Sequence, residues 1–266
     1  MDCATVIRLD GVYAQELAEY LNSVRITGKV ATSREVNVKH IHCFIDGEVN
    51  HEFGVEWTRD WTYDDVFELM HRRVGTSSDH EHLEGQDTIS AELCVAALDR
   101  FADRLAEAVS KQQRVLFATG HPAGLLPVHA ALAQAAGRAG ARIVEVPEGN
   151  KFLEGDIRQI NKVLMWHQHG SLMHTHLPRP MHLSLERLTA EGEPAPDLVV
   201  ADHGWAGFAA TSGIDSIGFA DCNDPALFVS EAQGQLQVAV PLDDNVCPGL
   251  YAPMVDYILQ QAGLSA

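Results

Sequence analysis

Short apolar runs alternate with longer amphipathic segments through most of the chain. Runs of four or five apolar residues are typical of buried strands, whereas apolar residues three and four positions apart are typical of helices. Strands that alternate with helices form parallel sheets covered by helices on both faces. The pattern therefore predicts an α/β fold with a doubly wound, mostly parallel sheet. Strands are expected at 115–118, 143–146, 163–166, 198–201, 217–220 and 236–240, and helices at 90–111, 128–139, 205–211 and 250–261.

The first part of the chain follows a less regular pattern. Helical spacing predicts helices over 12–24 and 63–74, and alternating side chains predict a strand over 35–46. Residues 75–87 are polar and rich in turn formers, which predicts a loop. We interpret the chain as an N-terminal α+β segment followed by a Rossmann-like α/β body. The two parts are expected to comprise residues 1–87 and 88–266.

An acidic stretch rich in tryptophan, residues 48–68, belongs to the N-terminal segment. We expect this segment to form a lid over the edge of the sheet or a contact between copies of the chain in a homo-oligomer.

The net charge of the protein excludes some classes of binding partner. The 266 residues carry a formal net charge of −18 at pH 7, with a pI near 5.0. Nucleic acids and anionic membranes require a basic surface, so binding to either is not expected. A small phosphorylated molecule remains a candidate ligand, because helix N-termini and metal ions can hold phosphate without lysine or arginine.

Cysteine usage and the N-terminal residues predict a cytoplasmic protein. The five cysteines are scattered and form no C-x-x-C pair, which favours reduced thiols. The residues MDCATVIRLDG lack the basic region and apolar core of a signal peptide. No apolar run approaches the roughly 20 residues that a membrane span needs.

Polar residues follow five of the predicted strands, at the point where each strand ends. Right-handed crossovers place the carboxyl ends of parallel strands at one edge of a sheet, and ligands bind at that edge. We therefore expect these residues to meet. They are Thr119, Gly120, His121 and Gly124 after the first strand, His174 and His176 after the third, Asp202, His203 and Gly204 after the fourth, Asp221, Asn223 and Asp224 after the fifth, and Asp243 and Asp244 after the last.

A divalent metal ion is the simplest partner for so many acids. Clustered carboxylates repel one another unless a cation or proton lies between them. Oxygen ligands favour Mg²⁺ or Mn²⁺, and imidazoles favour Mn²⁺, Fe²⁺ or Zn²⁺. Asp202 could instead cap the helix that follows it. The predicted metal ligands are Asp202, Asp221, Asn223, Asp224, His174 and His176.

The turn at 119–124 matches neither the dinucleotide-binding glycine motif nor the P-loop, so nucleotide binding is not supported. Its glycines and proline fit a tight strand-to-helix turn or an anion cradle at a helix N-terminus. No nucleophile motif such as G-x-S-x-G is present, which favours a metal-activated water as the nucleophile. The predicted substrate-binding residues are Thr119, Gly120, Gly124 and Gly204, and the predicted catalytic residues are His203, Asp202 and His121.

Four segments of the chain resemble a little-characterised group of actinobacterial proteins that are labelled phosphatase. The segments are LFATGHPAGLLPVHAAL, GSLMHTH, PDLVVADHGWAGFAATSGIDSIGFADCNDPAL and VPLDDN, and the similarity spans roughly residues 85–262. This resemblance implies a hydrolase that acts on phosphate esters. It carries over no assigned catalytic residues and no substrate.

Together these observations predict a metal-dependent phosphatase that acts on a small phosphate monoester. An alternative starts from His40 and His42, which on a strand would share one face and could bind one ion, as in amidohydrolases and histidinol-phosphatase-like enzymes. A non-catalytic protein that binds a small ligand at the same sheet edge is a further alternative.

Overall fold

A computed structural model describes residues 11–264 of the chain, which fold around one nine-stranded sheet. Its strands are β1 (Arg114–Ala118), β2 (Arg142–Ile143), β3 (Lys151–Phe152), β4 (Gly155–Ile160), β5 (Val163–Gln168), β6 (Ser171–Met173), β7 (Leu198–Asp202), β8 (Ser216–Ala220) and β9 (Val238–Pro241). Its helices are α1 (Gly11–Ser23), α2 (Arg34–Ile45), α3 (Val49–Glu52), α4 (Tyr63–Val74), α5 (Ala91–Ser110), α6 (Pro122–Arg138), α7 (Arg179–Ala190), α8 (His203–Thr211), α9 (Pro225–Ala232) and α10 (Ala252–Gln261), with a 3₁₀ turn at Pro248–Tyr251 before the last. The predicted α/β fold with a mostly parallel sheet is confirmed.

Strand β1 lies at the point where the strand order changes direction. It pairs in parallel with β7 on one side, and with β2 and then β5 on the other. On the β7 side, β8 and β9 continue in parallel to the edge. On the β5 side, β4 and β3 are antiparallel. Ligands of open α/β sheets bind at the carboxyl ends of strands at such a reversal.

Alternating side chains of the strands build a core on each face of the sheet. In β1, Val115 and Phe117 pack into one core, together with α1, α5, α6 and α10. Leu116 and Ala118 point the other way, into the core that includes α2, α4, α8 and α9. Both cores are apolar because a parallel strand covered on both faces has no solvent-facing side.

The strand predicted at 35–46 is wrong, because these residues form helix α2. The alternating pattern also satisfies helical spacing, since Asn37, Ile41 and Phe44 lie three and four residues apart and are buried on one face of the helix. On a helix, residues two apart do not share a face. His40 accordingly contacts the backbone of Asn223, whereas the ring of His42 stacks on Tyr63. The alternative function built on this histidine pair therefore lacks the strand that it requires.

The antiparallel strands β3, β4 and β6 were not predicted. Strand β5 extends past the end of β1, and β6 pairs with this extension at Trp166, His167 and Gln168. His174 and His176 therefore follow a hairpin that turns the chain back over the end of β1. Two further bounds differ, since the second strand is shorter than expected and α6 begins at Pro122.

Helices α1 and α4 of the N-terminal part pack on helices that cover the sheet. Leu17 and Leu21 of α1 belong to the core that contains α5, and Val66 and Phe67 of α4 belong to the core that contains α9. The boundary expected at residue 87 stays a prediction, as do the lid and the contact between copies.

The cysteines in the described part of the chain are free. Three of them, Cys43, Cys94 and Cys222, are buried and Cys247 is exposed. Expectations that rest on residues 1–10, including Cys3, lie outside the described residues. No helix within residues 11–264 is long and apolar enough to cross a membrane.

Candidate metal-binding active site

Residues from the ends of β1, β7, β8 and β9 meet at one edge of the sheet. The Gly120 amide donates to Asp202 Oδ1 at 2.7 Å, which joins the end of β1 to the end of β7. His203 Nε2 lies 3.7 Å from Asp224 Oδ2, beyond β8, and 3.5 Å from Asp244 Oδ2, beyond β9. The structure thus brings together residues from separate strand ends in one buried cluster.

The β5–β6 hairpin adds two histidines to this cluster. Thr175 donates its amide to the Gly120 carbonyl at 2.9 Å, which fixes the chain after β6 over the end of β1. The ring of His174 stacks on His121, with centroids 4.5 Å apart. His174 Nε2 lies 3.0 Å from His176 Nε2 and 3.4 Å from His203 Nε2. The three imidazoles therefore converge through the same ring nitrogen.

Asp202 holds His203 in place and does not cap helix α8. Its side chain accepts no hydrogen bond from the N-terminal amides of α8. Both carboxylate oxygens are used instead, since Oδ1 accepts from Gly120 N and His203 Nδ1 (2.7 Å each) and Oδ2 accepts from His129 Nε2 (2.9 Å). Complete burial would raise the pKa of Asp202, but the bonds from His129 and His203 outweigh it and lower this pKa. Asp202 is therefore a buried carboxylate that orients an imidazole.

Two of the converging histidines donate from Nδ1 to an oxygen acceptor. His203 donates to Asp202, and His176 donates to the Asn50 carbonyl at 2.8 Å. When Nδ1 carries the proton of a neutral imidazole, Nε2 keeps its lone pair. Imidazoles that bind metals are held in this way, with the second nitrogen donating to a carboxylate or carbonyl.

The backbone at His203 is strained. Its φ of +49° lies in the left-handed region, which costs a residue with a Cβ atom of the order of 1–3 kcal/mol. The next residue must be glycine, because a Cβ on Gly204 would come within 2.3 Å of the His176 carbonyl. The strain and the close approach together position His203 against the hairpin.

Charge separates the histidines into two kinds. Burial, together with the charge of His203, lowers the pKa of His174 to about 4 and of His176 to about 3. Burial also disfavours the charged form of His203, but Asp202 and its acidic neighbours outweigh it and raise this pKa to about 10. His174 and His176 are therefore neutral at pH 7, whereas His203 is protonated and a metal ion would have to displace the proton of its Nε2 atom.

Four buried aspartates complete the cluster. His203 with Asp224 and Asp244 forms one group whose ligand atoms lie within 4.8 Å of one another, and Asp221 with Asp243 and Asp244 forms another. Asp244 belongs to both groups. Its Oδ2 atom is buried and has no hydrogen-bond partner among the described residues. A buried carboxylate oxygen without a hydrogen bond is costly, and the ion-pair contact with His203 Nε2 at 3.5 Å shows that this position suits a cation.

Burial, and to a smaller extent the neighbouring charges, shift the pKa values of these carboxylates. Burial, reinforced by Asp244, raises the pKa of Asp221 well above its usual range and that of Asp224 to about 7. Burial also raises the pKa of Asp243. For Asp244 burial acts in the same direction, but His121 and His203 outweigh it and lower the pKa. Among residues 13–264, no ion pair of these aspartates involves lysine or arginine.

His121 lies next to this group of acids. Its Nδ1 atom is 3.0 Å from Asp244 Oδ1, in an ion-pair contact that is poorly aligned for a hydrogen bond. Burial opposes the charged imidazole, but Asp244 raises the pKa of His121. His121 is thus the imidazole whose position suits proton transfer beside the cluster.

The turn at 119–124 is shaped by close packing. A Cβ on Gly120 would lie 2.4 Å from the Thr175 carbonyl, and one on Gly124 would lie 2.1 Å from the Asp244 carbonyl. The Gly120 amide is used by Asp202, and the His121 amide donates to the Thr119 hydroxyl at 3.0 Å. Anion binding by this turn stays a prediction, with these two amides already engaged.

Sequence patterns identified most of the cluster and missed its supporting residues. Asn223 contributes its carbonyl to His40 Nδ1 at 2.9 Å. His129 was not predicted, because a single histidine in an alanine-rich helix carries no signal of its partner. Thr32 and Ala31 were also missed, although they donate to Asp221 and Asp243.

Comparison with known proteins gives two matches. The family model described as "Phosphatase" matches residues 12–266. The protein named "Phosphatase SCO2771" of Streptomyces coelicolor is 52% identical over 251 residues, which cover 94% of this chain and 96% of the relative. The resemblance to actinobacterial proteins labelled phosphatase is confirmed, and it extends through the N-terminal helices.

Proposed function

Because this chain belongs to the phosphatase family, we propose that it is a metal-dependent phosphohydrolase that cleaves small phosphate monoesters. The observation that supports this most directly is Asp244 Oδ2, which is buried without a hydrogen-bond partner among the described residues and lies 3.5 Å from His203 Nε2. A divalent ion bound by both atoms would give the carboxylate oxygen the partner that it lacks.

The donor set favours particular metals. His203 and the neighbouring His174 and His176 offer nitrogen, whereas Asp224 and Asp244 offer carboxylate oxygen. Mixed nitrogen and oxygen donors suit Mn²⁺, Zn²⁺ or Fe²⁺ better than Mg²⁺ or Ca²⁺. In this assignment Asp202 is a positioning residue, because its oxygens already accept from Gly120, His203 and His129.

Phosphate recognition requires positive charge at this site. A phosphate monoester carries about two negative charges near neutral pH, and the site is lined by carboxylates. Lysine and arginine form no ion pair with these aspartates in the described part of the chain. Metal ions would therefore supply the charge that draws the phosphoryl oxygens into the cluster.

The reaction is the hydrolysis of the ester bond. The oxygen of water bonds to phosphorus and releases one proton to solvent, the bond between phosphorus and the alcohol oxygen breaks, and the alcohol oxygen takes up a proton from an acid that solvent reprotonates. A bound divalent ion would lower the pKa of its water and so supply the nucleophile. His121, paired with Asp244 at 3.0 Å, is the residue that we assign to donate the proton, while His203 is assigned to ligation.

Release of inorganic phosphate from a panel of small monoesters tests this function. The chain is first stripped with a chelator and then assayed with Mn²⁺, Zn²⁺ and Mg²⁺ added separately. We expect hydrolysis only with metal, and a loss of at least ~100-fold in kcat/KM in both Asp244→Asn and His203→Ala, because each removes a ligand.

His169→Ala is the matched control, since this histidine is exposed and pairs only with the exposed Glu154 among the described residues. It should retain wild-type activity. Equal activity in Asp244→Asn and wild type would contradict the proposal. Tight binding of a monoester without phosphate release would instead identify a non-catalytic binding protein.

A further inference from the structure

We infer that the centre holds two divalent ions bridged by Asp244, with the second ion in a pocket of carboxylates formed by Asp221, Asp243 and Asp244. This inference rests on the proposed function, since it specifies the metal content of the same site. It concerns a binding site whose ligands come from the ends of β8 and β9 alone.

The geometry of the cluster provides for two ions. In each of two groups the ligand atoms lie within 4.8 Å of one another, and both groups include Asp244. Asp244 Oδ1 faces His121, and Oδ2 faces His203 Nε2. A carboxylate offers two oxygens with several lone pairs and can bridge two ions, which in two-metal hydrolases lie about 3.5–4 Å apart.

The negative charge of the cluster also suits two ions. Asp221, Asp224, Asp243 and Asp244 are all at least nine-tenths buried, and together they carry four negative charges when ionised. A single divalent ion leaves half of that charge to be offset by the imidazoles of His121 and His203, in a region where burial already opposes ionisation. Two divalent ions balance the four carboxylates even when both imidazoles are neutral.

Hydrogen bonds hold the carboxylates of Asp221 and Asp243 in place. Asp221 Oδ2 accepts from the Thr32 hydroxyl at 2.9 Å, and its Oδ1 accepts from the Cys222 amide at 2.6 Å. Asp243 accepts from the amides of Ala31 and Asn245 at 3.2 and 3.0 Å. Each oxygen keeps a further lone pair, so these donors orient the carboxylates toward a ligand as outer-shell partners of metal sites do.

The two pockets differ in chemistry. The pocket of Asp221, Asp243 and Asp244 offers only oxygen, which favours Mg²⁺ or Mn²⁺. The pocket that contains His203 adds nitrogen and favours Mn²⁺ or Zn²⁺. Mn²⁺ suits both donor sets, and it is therefore the probe of choice for the test.

The test combines equilibrium dialysis of the full chain against Mn²⁺ with electron paramagnetic resonance of the loaded protein. We expect two Mn²⁺ per chain in wild type and a spectrum of two spin-coupled ions. Asp221→Asn should bind one Mn²⁺ and show the spectrum of an isolated ion. This variant is chosen because the Thr32 hydroxyl can accept from the new amide group, so local packing is kept.

Asp156→Asn is the matched control. Asp156 pairs with His167 at a distance of 2.8 Å and belongs to none of the groups of ligand atoms in the cluster. It should bind two ions like wild type. One Mn²⁺ per wild-type chain, with an uncoupled spectrum and metal-dependent phosphate release, would overturn the second ion and leave the proposed function intact. Two coupled ions without phosphate release would support the second ion and overturn the proposed function.

Discussion

At the level of single residues, Asp202 fixes the orientation of His203 in the cluster. Its oxygens accept hydrogen bonds from Gly120, His203 and His129. Asp202 belongs to none of the groups of ligand atoms that could hold a metal ion. A carboxylate in this position raises the basicity of an imidazole and fixes its orientation for metal binding.

Replacement of this carboxylate by an amide tests that role. Asp202→Asn keeps the volume but presents an amide nitrogen to at least one of the donors that now face the carboxylate. We expect metal affinity to fall about 10–100-fold, with a parallel fall in kcat/KM that excess metal partly restores. Isothermal titration with Mn²⁺ and steady-state kinetics at several metal concentrations measure both effects.

Asp197→Asn is the matched control. The exposed Asp197 directly precedes β7, at the end of the strand opposite to Asp202, and its side chain accepts from the Arg114 amide. Its metal affinity should not change. If Asp202→Asn bound metal as tightly as wild type, Asp202 would be a structural residue only.

Sequence patterns could identify the acids at the strand ends but not the roles of individual oxygens. Asp202, His203 and Asp224 were predicted because polar residues directly follow apolar runs. That Asp202 orients an imidazole depends on Gly120, 82 residues earlier, and on His129, 73 residues earlier. No local pattern encodes such contacts.

At the scale of elements, helix α2 is anchored to the loop before α5 by a buried ion pair. Arg34 Nη1 donates to Asp87 Oδ2 at 2.9 Å, and both side chains are almost completely buried. Asn37 donates to the same oxygen, and the amides of Ser77 and Thr88 donate to Oδ1. One carboxylate thus ties the helix to both ends of the loop at 75–87.

This anchor predicts a change in stability at acidic pH. Burial would raise the pKa of Asp87, but its hydrogen bonds with Asn37, Ser77, Arg34 and Thr88 outweigh burial and lower it. A carboxyl whose pKa is lower in the folded state stabilises the protein above its unfolded pKa of about 3.9. That contribution disappears as pH falls through the folded value.

Urea unfolding of wild type and Asp87→Asn at several pH values measures this contribution. We expect the variant to be less stable by about 3–5 kcal/mol at pH 7, because Arg34 then lacks its partner. The difference should shrink below pH 4. A difference that is constant between pH 7 and pH 3 would show that ionisation of Asp87 contributes nothing.

Helix α2 also marks the limit of prediction from sequence. Alternation of side chains over 35–46 fits a strand, yet the buried positions Asn37, Ile41 and Phe44 follow helical spacing. Burial of a polar residue such as Asn37 is possible because Asp87 accepts from its amide. That partner lies 50 residues away, so the stretch alone favours the wrong element.

At the scale of the whole molecule, the regular part of the sheet was predictable and its irregular part was not. Strands β1, β7, β8 and β9 are short, apolar and buried, and each is followed by polar residues. Strand β4, with the sequence GDIRQI, is half exposed and has no continuous apolar run. The antiparallel side of the sheet, including the hairpin that delivers His174 and His176, was therefore missed.

The arrangement of the whole sheet brings the proposed ligands together. Parallel strands β8 and β9 deliver the acids, and the hairpin beside β1 delivers the imidazoles of His174 and His176. The proposed function requires that this edge binds a divalent ion between His203 and Asp244.

Anomalous diffraction from crystals grown with Mn²⁺ tests whether His203 and Asp244 bind the same ion. We expect an anomalous peak about 2.0–2.3 Å from both His203 Nε2 and an oxygen of Asp244, as for first-row metal ligands. A crystal that contains saturating Mn²⁺ but has no peak among His203, Asp224 and Asp244 would contradict the account.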